Sequence, residues 1–444
     1  MPENDRSHPV ESPQRTEPSR RSVLRAGAAG LASLPFTGLS QDTPQNPQKL
    51  EDLRIALVGA GGRGRGAATQ SLNIPGTRLV AVCDAFRDNA ERAVTGLRER
   101  FGKRVDVPAE RIFDGFEGYR AAIDAADVVL LTSTPGFRPT HFQYAVEQGK
   151  HVFMEKPVAV DAPGIRKVLA AAKQADEKNL KVVCGLQRRY QNLYRETLAE
   201  LKKGVIGEVT SAQVYWNSAG VWIRKRQEGM SEMEYQMRNW YYFNWLCGDH
   251  IVEQHVHNVD VMNWFKGEFP VKAQGMGGRQ VRIGPETGEI FDHHYVEFTY
   301  ADGSVMNSQC RHQPGTSNRV TEAIGCQNGL VYPGFIKDRN GKMVWRFRGK
   351  KNDPYQEEHK VLYEHIRADR PINNAYYTAH STLTAILGRM ASYSGKDIKW
   401  EQALNSTVDT MPSTLAWDAD PGPKPGANGI YPCPIPGQYD PLGT

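Results

Sequence analysis

From about residue 49 onward, short apolar runs alternate with amphipathic stretches. Arg54 to Val58 reads as a buried strand, Gly62 to Leu72 as a helix, Arg78 to Cys83 as a strand and Asp88 to Phe101 as a helix. Asp127 to Leu131 is the next apolar strand. A helix near His141 to Glu147, the strand His151 to Met154, the helix Ala162 to Lys178 and the strand Lys181 to Cys184 follow. Alternation of this kind predicts a doubly wound parallel sheet with helices on both faces.

After Gly185 the period changes. Thr210 to Trp216, Tyr295 to Thr299, Val305 to Gln309 and Met343 to Phe347 alternate apolar with polar positions, and Asp302-Gly303 and Asn340-Gly341 are hairpin turns. This half is expected to be an α+β domain with a large, mainly antiparallel sheet. The helix Tyr377 to Ser394 should pack back near the boundary. The expected organisation is residues 1–48 ahead of the folded body, 49–184 as the doubly wound domain, 185–410 as the α+β domain, and 411–444 as a Pro- and Gly-rich extended tail.

Composition narrows the function. The 444 residues are 39% hydrophobic and 24% charged, which suits a folded protein of two domains. A net charge of +5 without a concentrated basic face argues against nucleic-acid binding. Six scattered cysteines form no C-x-x-C pair, so neither a zinc site nor any other metal is expected. Ser19-Arg20-Arg21-Ser22-Val23-Leu24-Arg25 precedes a weakly apolar, Ala- and Gly-rich stretch, Ala26 to Leu39. This resembles a twin-arginine export signal and predicts a periplasmic or extracytoplasmic protein. The stretch is too short to span a membrane, so no stable insertion is expected after signal removal.

Gly59-Ala60-Gly61-Gly62-Arg63-Gly64 fits G-x-G-x-x-G between a buried strand and a helix. In that context Gly59 permits a tight turn, Gly61 a close approach to a pyrophosphate and Gly64 close helix–strand packing, with the helix N-terminus facing the phosphates. Asp84 follows 20 residues after Gly64, at the end of the second strand, where a carboxylate accepts bonds from an adenosine ribose. Its charge repels a 2′-phosphate and favours NAD over NADP, a preference that nearby Arg87 softens. Thr132, Thr134 and Pro135 follow the strand Asp127 to Leu131, where the cofactor should cross.

Two further runs carry chemistry. His151-Val152-Phe153-Met154-Glu155-Lys156-Pro157 places Glu155 and Lys156 at a strand end on the rim of the cofactor crevice, where an ammonium needs a partner or a task. In Asp249-His250-Ile251-Val252-Glu253-Gln254-His255-Val256-His257-Asn258-Val259-Asp260, Glu253, His257, Asp260 and Trp264 recur at helical spacing, with Asp249 as N-cap. The apolar neighbours make this a buried helix, and buried charged groups require partners or function.

The fingerprint, Thr134-Pro135 followed by His141, the Glu155-Lys156-Pro157 triplet and the acid-x-x-x-His-x-x-Asp run together resemble the Gfo/Idh/MocA family, over essentially the whole chain after the linker. The resemblance implies a Rossmann domain followed by the antiparallel-sheet domain, and NAD(P)-dependent oxidoreduction of a sugar, glycoside or cyclitol hydroxyl or carbonyl. By that resemblance Lys156 and His257 are catalytic, and Pro157 follows a cis bond. Glu253 stands one methylene longer than the family's aspartate and contacts substrate, Asp260 is structural, and Arg189 and Tyr190 line the interdomain cleft. His141 joins the cofactor site with Gly59, Gly61, Gly62, Arg63, Gly64, Asp84, Thr132, Thr134, Pro135, Glu155 and Lys156. Trp240 is a candidate sugar-stacking aromatic, and the open face of the antiparallel sheet implies a homo-oligomer, dimer or tetramer.

Export bears on the chemistry, because free nicotinamide cofactors are scarce outside the cytoplasm. It favours a tightly held, internally recycled cofactor and redox-neutral reactions, among them oxidation-assisted cleavage of a glycosidic bond. Two other readings are a non-catalytic sugar or cofactor sensor on the same fold and a metal-dependent hydrolase built from His250, His255, His257, His293, His294 and His312. The second lacks a helical H-E-x-x-H pattern.

Overall fold

The computed structural model of the chain describes residues 52–443; the twin-arginine run and the linker after it lie outside the described residues. Six strands, β1 (Leu53–Val58), β2 (Thr77–Cys83), β3 (Ile112–Phe113), β4 (Val128–Leu131), β5 (His151–Met154) and β6 (Val182–Cys184), form a parallel sheet in the order β3-β2-β1-β4-β5-β6. The period of two along β1 divides the core. Ile55 and Leu57 pack with the helices Gly62–Leu72 and Arg87–Phe101, whereas Ala56 and Val58 pack with the helices Gly118–Asp124 and Arg138–Glu147. Strand order reverses between β1 and β4, so a crevice opens at their carboxyl ends.

The second sheet has nine strands: β7 (Val209–Ser218), β8 (Lys272–Gly278), β9 (His293–Thr299), β10 (Val305–His312), β11 (Arg319–Cys326), β12 (Gly329–Tyr332), β13 (Phe335–Asp338), β14 (Met343–Arg346) and β15 (Ile398–Lys399). Their order is β14-β13-β12-β11-β7-β10-β9-β8-β15. Only the β7–β10 pair is parallel, and the other neighbours run antiparallel. A doubly wound sheet followed by a mainly antiparallel one is the expected fold.

The helix Ala375–Ser394 joins the two halves, packing on β8, β9 and the helix Val256–Lys266 on one side and on Ala162–Glu177 on the other. Its small residues allow this: a Cβ on Gly388 would stand 2.7 Å from the Phe298 ring. Residues 407–443 form no helix or strand, yet Tyr431 is buried, its hydroxyl donating to Glu232. All six cysteines are free, five of them buried.

Candidate functional site

A cleft of about 1180 Å³ runs along the crevice between β1 and β4 and continues against the second half of the chain. The glycine turn forms one wall. Gly59 has φ +96°, and a Cβ there would lie 2.2 Å from Ser133 N; a Cβ on Gly64 would lie 1.9 Å from Gly59 O. At Gly61 and Gly62 a Cβ would meet nothing within 4 Å, so there the backbone itself faces open space. No side chain caps the first turn of the helix Gly62–Leu72, which leaves its backbone donors available to an anion.

Asp84 accepts hydrogen bonds from Ala60 N (2.7 Å), Phe86 N (3.0 Å) and Asn89 Nδ2 (3.1 Å). Burial nevertheless raises its carboxyl above the usual value. Thr132 Oγ1 ties β4 to the glycine turn by donating to Gly59 O at 2.6 Å. Thr134 Oγ1 is buried without a hydrogen-bond partner, and Pro135 follows it in the wall. His141 Nδ1 lies 3.0 Å from Ser133 Oγ; burial, then the Arg138 charge, lowers its pKa to about 3, so it is a neutral ring. Open backbone at Gly61 and Gly62, free helix donors and an orphaned hydroxyl on one wall fit a dinucleotide phosphate group.

At the end of β5, Glu155 pairs with Arg63 of the glycine turn, and Arg63 also lies over the Tyr355 ring at 4.8 Å. Lys156 points the other way. Its ammonium donates to the Glu253 carboxylate at 2.9 Å and to the Glu253 carbonyl oxygen, and the Lys156–Pro157 bond is cis. An ammonium has three donors, so one remains for a ligand.

The run after Gly248 departs from the expected single helix. It is two helices, His250–Glu253 and Val256–Lys266, broken at Gln254 and His255, so Glu253 and His257 do not share one continuous face. The cause is tertiary. Asp249 takes φ +70°, ψ 160°, a conformation strained for any residue with a Cβ. Its buried carboxylate accepts from His250 N, His250 Nδ1 (2.6 Å), Phe291 N (3.0 Å), His294 Nε2 (3.2 Å) and Tyr393 Oη (2.5 Å). These bonds hold the first turn out of line with the longer helix.

His257 is 8% exposed, lines the cleft, and stacks near the Trp216 ring with centroids 6.0 Å apart. Burial, with the Lys156 and Arg188 charges adding to it, holds its pKa well below the ordinary imidazole value, and Nδ1 has no partner. A neutral imidazole lining the cleft can accept a proton.

Glu253 and Trp240 line the cleft with the residues above. Arg189 and Tyr190, expected there, do not. Arg189 is drawn into a buried pair with Asp260 (2.8 Å) and lies over the Tyr377 ring at 3.9 Å, and the Tyr190 hydroxyl donates to Asn374. Both are fastened to the interior by partners far away in sequence. Sequence reasoning missed Trp216, Gln254, Arg138 and the helix Pro354–Arg367, which brings Tyr355 to the cleft. Only that helix carried a readable signal: Asp353, which caps it, followed by Pro354 at its first position.

Asp249, His250 and His294 offer ligand atoms within 4.8 Å of one another. The carboxylate is filled by the donors named above, and the His250 ring stacks at 4.4 Å on His312, which the Arg282 guanidinium contacts. That charge and that stacking suit a hydrogen-bond network rather than a cation.

Residues 53–183 match the Gfo/Idh/MocA family model, described as an oxidoreductase family with an NAD-binding Rossmann fold. The chain is 31% identical over 170 residues to glycosyl hydrolase family 109 protein 3 of Phocaeicola vulgatus, covering 37% of this chain and 29% of that protein. It is 26% identical over 287 residues to inositol 2-dehydrogenase of Rubrobacter xylanophilus, covering 63% and 71%. Against most such relatives the match spans less than half of the relative's length. The fold is that of the aldose-aldose oxidoreductase of Caulobacter crescentus, with TM-score 0.62, 17% identity, and 79% of this chain and 100% of that one covered.

Proposed function

We propose that the whole chain is an NAD(P)-dependent oxidoreductase of the Gfo/Idh/MocA family that acts on a CH–OH group of a sugar, glycoside or cyclitol. One observation carries this reading: the Lys156 ammonium and the neutral His257 imidazole, from different halves of the chain, line one cleft with the open glycine turn. Gly59, Gly61, Gly62, Arg63, Gly64, Asp84, Thr132, Thr134, Pro135, His141 and Glu155 would hold the dinucleotide, which when bound supplies the hydride acceptor. The Asp84 carboxylate, facing the ribose end, favours NAD over NADP.

Glu253 fixes the Lys156 ammonium, whose remaining donor orients a ring hydroxyl through its oxygen. His257 takes the hydroxyl proton on its neutral imidazole and returns it when a ketone is reduced. The low-dielectric wall of Trp216 keeps water from competing. Export by the twin-arginine route, read from Arg20 and Arg21, belongs to the same proposal, with the cofactor held tightly and recycled within a redox-neutral turnover. A second reading, NAD-dependent cleavage of a glycosidic bond, is favoured by the glycosyl hydrolase family 109 relatives.

Mass spectrometry of small molecules released from the purified protein tests the cofactor. Nicotinamide absorbance during a single turnover, over a panel of cyclitols, aldoses and aryl glycosides, tests the reaction. The expected results are NAD and an absorbance change with at least one polyol. A protein that carries no dinucleotide, and binds none when it is supplied, would overturn the reading.

A further inference from the structure

Gln254 sits where the helical run breaks. Its carbonyl oxygen accepts from His257 N at 3.2 Å, and it lines the same cleft as Lys156 and His257. Two buried residues stand behind it. Arg282, 5% exposed, donates to the Phe291 carbonyl and, from Nη2, to His312 Nδ1 at 2.6 Å. The opposite nitrogen of the His312 ring, Nε2, lies 2.8 Å from Gln254 Oε1.

The chemistry at one end of this chain sets the direction of every bond. A guanidinium has donors only, so His312 Nδ1 is the lone-pair nitrogen. Burial, with the Arg282 charge adding to it, keeps the ring neutral. Its single hydrogen is therefore on Nε2 and is donated to Gln254 Oε1. The His250 and Tyr241 rings stack on His312 at 4.4 and 5.9 Å and hold its plane. With the oxygen of Gln254 committed rearward, its NH2 group is left for the cleft, and it makes no hydrogen bond among the described residues.

We propose that Gln254 is a specificity-determining residue: its amide, locked donor-outward by Arg282 and His312, donates to a hydroxyl or carbonyl oxygen of the substrate and disfavours an ammonium at that place. The role in turnover rests on the reading of the cleft as a polyol-oxidising site. A reversed amide would set the His312 N–H against the Gln254 NH2, two donors facing each other in a buried space, which costs the full desolvation of one of them.

The test has two arms. In the full chain labelled with 15N-histidine, the His312 ring is assigned by loss of its signals in H312Q, and two-bond 1H–15N correlations locate its proton. Nε2–H with an unprotonated Nδ1 is expected; Nδ1–H, or a doubly protonated ring at neutral pH, overturns the donor assignment. In the second arm, myo-inositol, D-glucose and D-glucosamine are the probes. For a hydroxyl probe that the wild-type protein turns over, Q254L raises KM by about 10-fold, with a smaller change in kcat and unchanged bound cofactor. Q254E, of the same shape, shifts preference from D-glucose toward D-glucosamine. Unchanged KM values in both variants overturn the proposal. If the wild-type protein turns over none of the probes, the proton position on His312 alone upholds or sinks the donor-outward amide.

Discussion

The Lys156 ammonium lies 2.9 Å from the carboxylate of Glu253, 97 residues further along the chain, and donates also to that residue's carbonyl oxygen. This contact fastens the end of β5 to the break between the two helices of the second half, and places a cation and a neutral imidazole on one cleft. Both partners are almost dehydrated, with side-chain exposures of 12% and 13%, so the pair depends on its geometry rather than on bulk charge.

Shortening one partner tests that geometry. Asp in place of Glu253 withdraws the carboxylate by one methylene, beyond hydrogen-bond reach of Nζ, while leaving the backbone contact. E253D is expected to lower kcat/KM by about 10- to 100-fold with little change in Tm or bound cofactor. Steady-state kinetics alongside thermal melts separate this from general damage.

The glycine turn separates packing from binding. In G59A and G64A the added methyl would stand 2.2 Å from Ser133 N and 1.9 Å from Gly59 O, so both should lose about 1–3 kcal/mol of stability. In G61A the methyl enters open space within the cleft. Its Tm without cofactor should match the wild-type value, while dinucleotide affinity falls; calorimetric titration and thermal melts check the contrast.

Buried histidines make the fold sensitive to acid. Burial lowers the pKa of His141 and of His255 to about 3 and that of His250 to about 4, so below about 6.5 the unfolded chain is the better proton acceptor. Their contribution to stability is complete above that pH. It falls by about 1.4 kcal/mol per pH unit for each ring as pH drops from about 6.5 toward 4. Urea denaturation at pH 7.5 and pH 5 should show a marked loss at the lower pH, reduced in H141Q.

Much of the first half was legible because its signals are local. The run Arg54 to Val58, the glycines and the helix Gly62–Leu72 each read correctly from neighbours in sequence, as did the β5 strand that ends in Glu155 and Lys156. The break at Gln254 was not legible. Apolar positions at Ile251, Val252, Val256 and Val259 run through it at helical spacing, and the cause lies in the bonds of Asp249 to Phe291, His294 and Tyr393. Arg189 shows the same limit: its partner Asp260 is 71 residues away, and no local pattern marks the pair that removes it from the cleft. The Gln254–His312–Arg282 chain joins a helix break, the end of β10 and a loop, and becomes visible only in three dimensions.

The proposed joint action of Lys156, which orients the substrate hydroxyl, and His257, which takes its proton, is tested most directly by single-turnover nicotinamide absorbance in the wild-type protein and in K156A, each with its cofactor content measured. The expected result is full cofactor occupancy in K156A with turnover reduced about 100- to 10,000-fold. Undiminished turnover in K156A at full occupancy would contradict it.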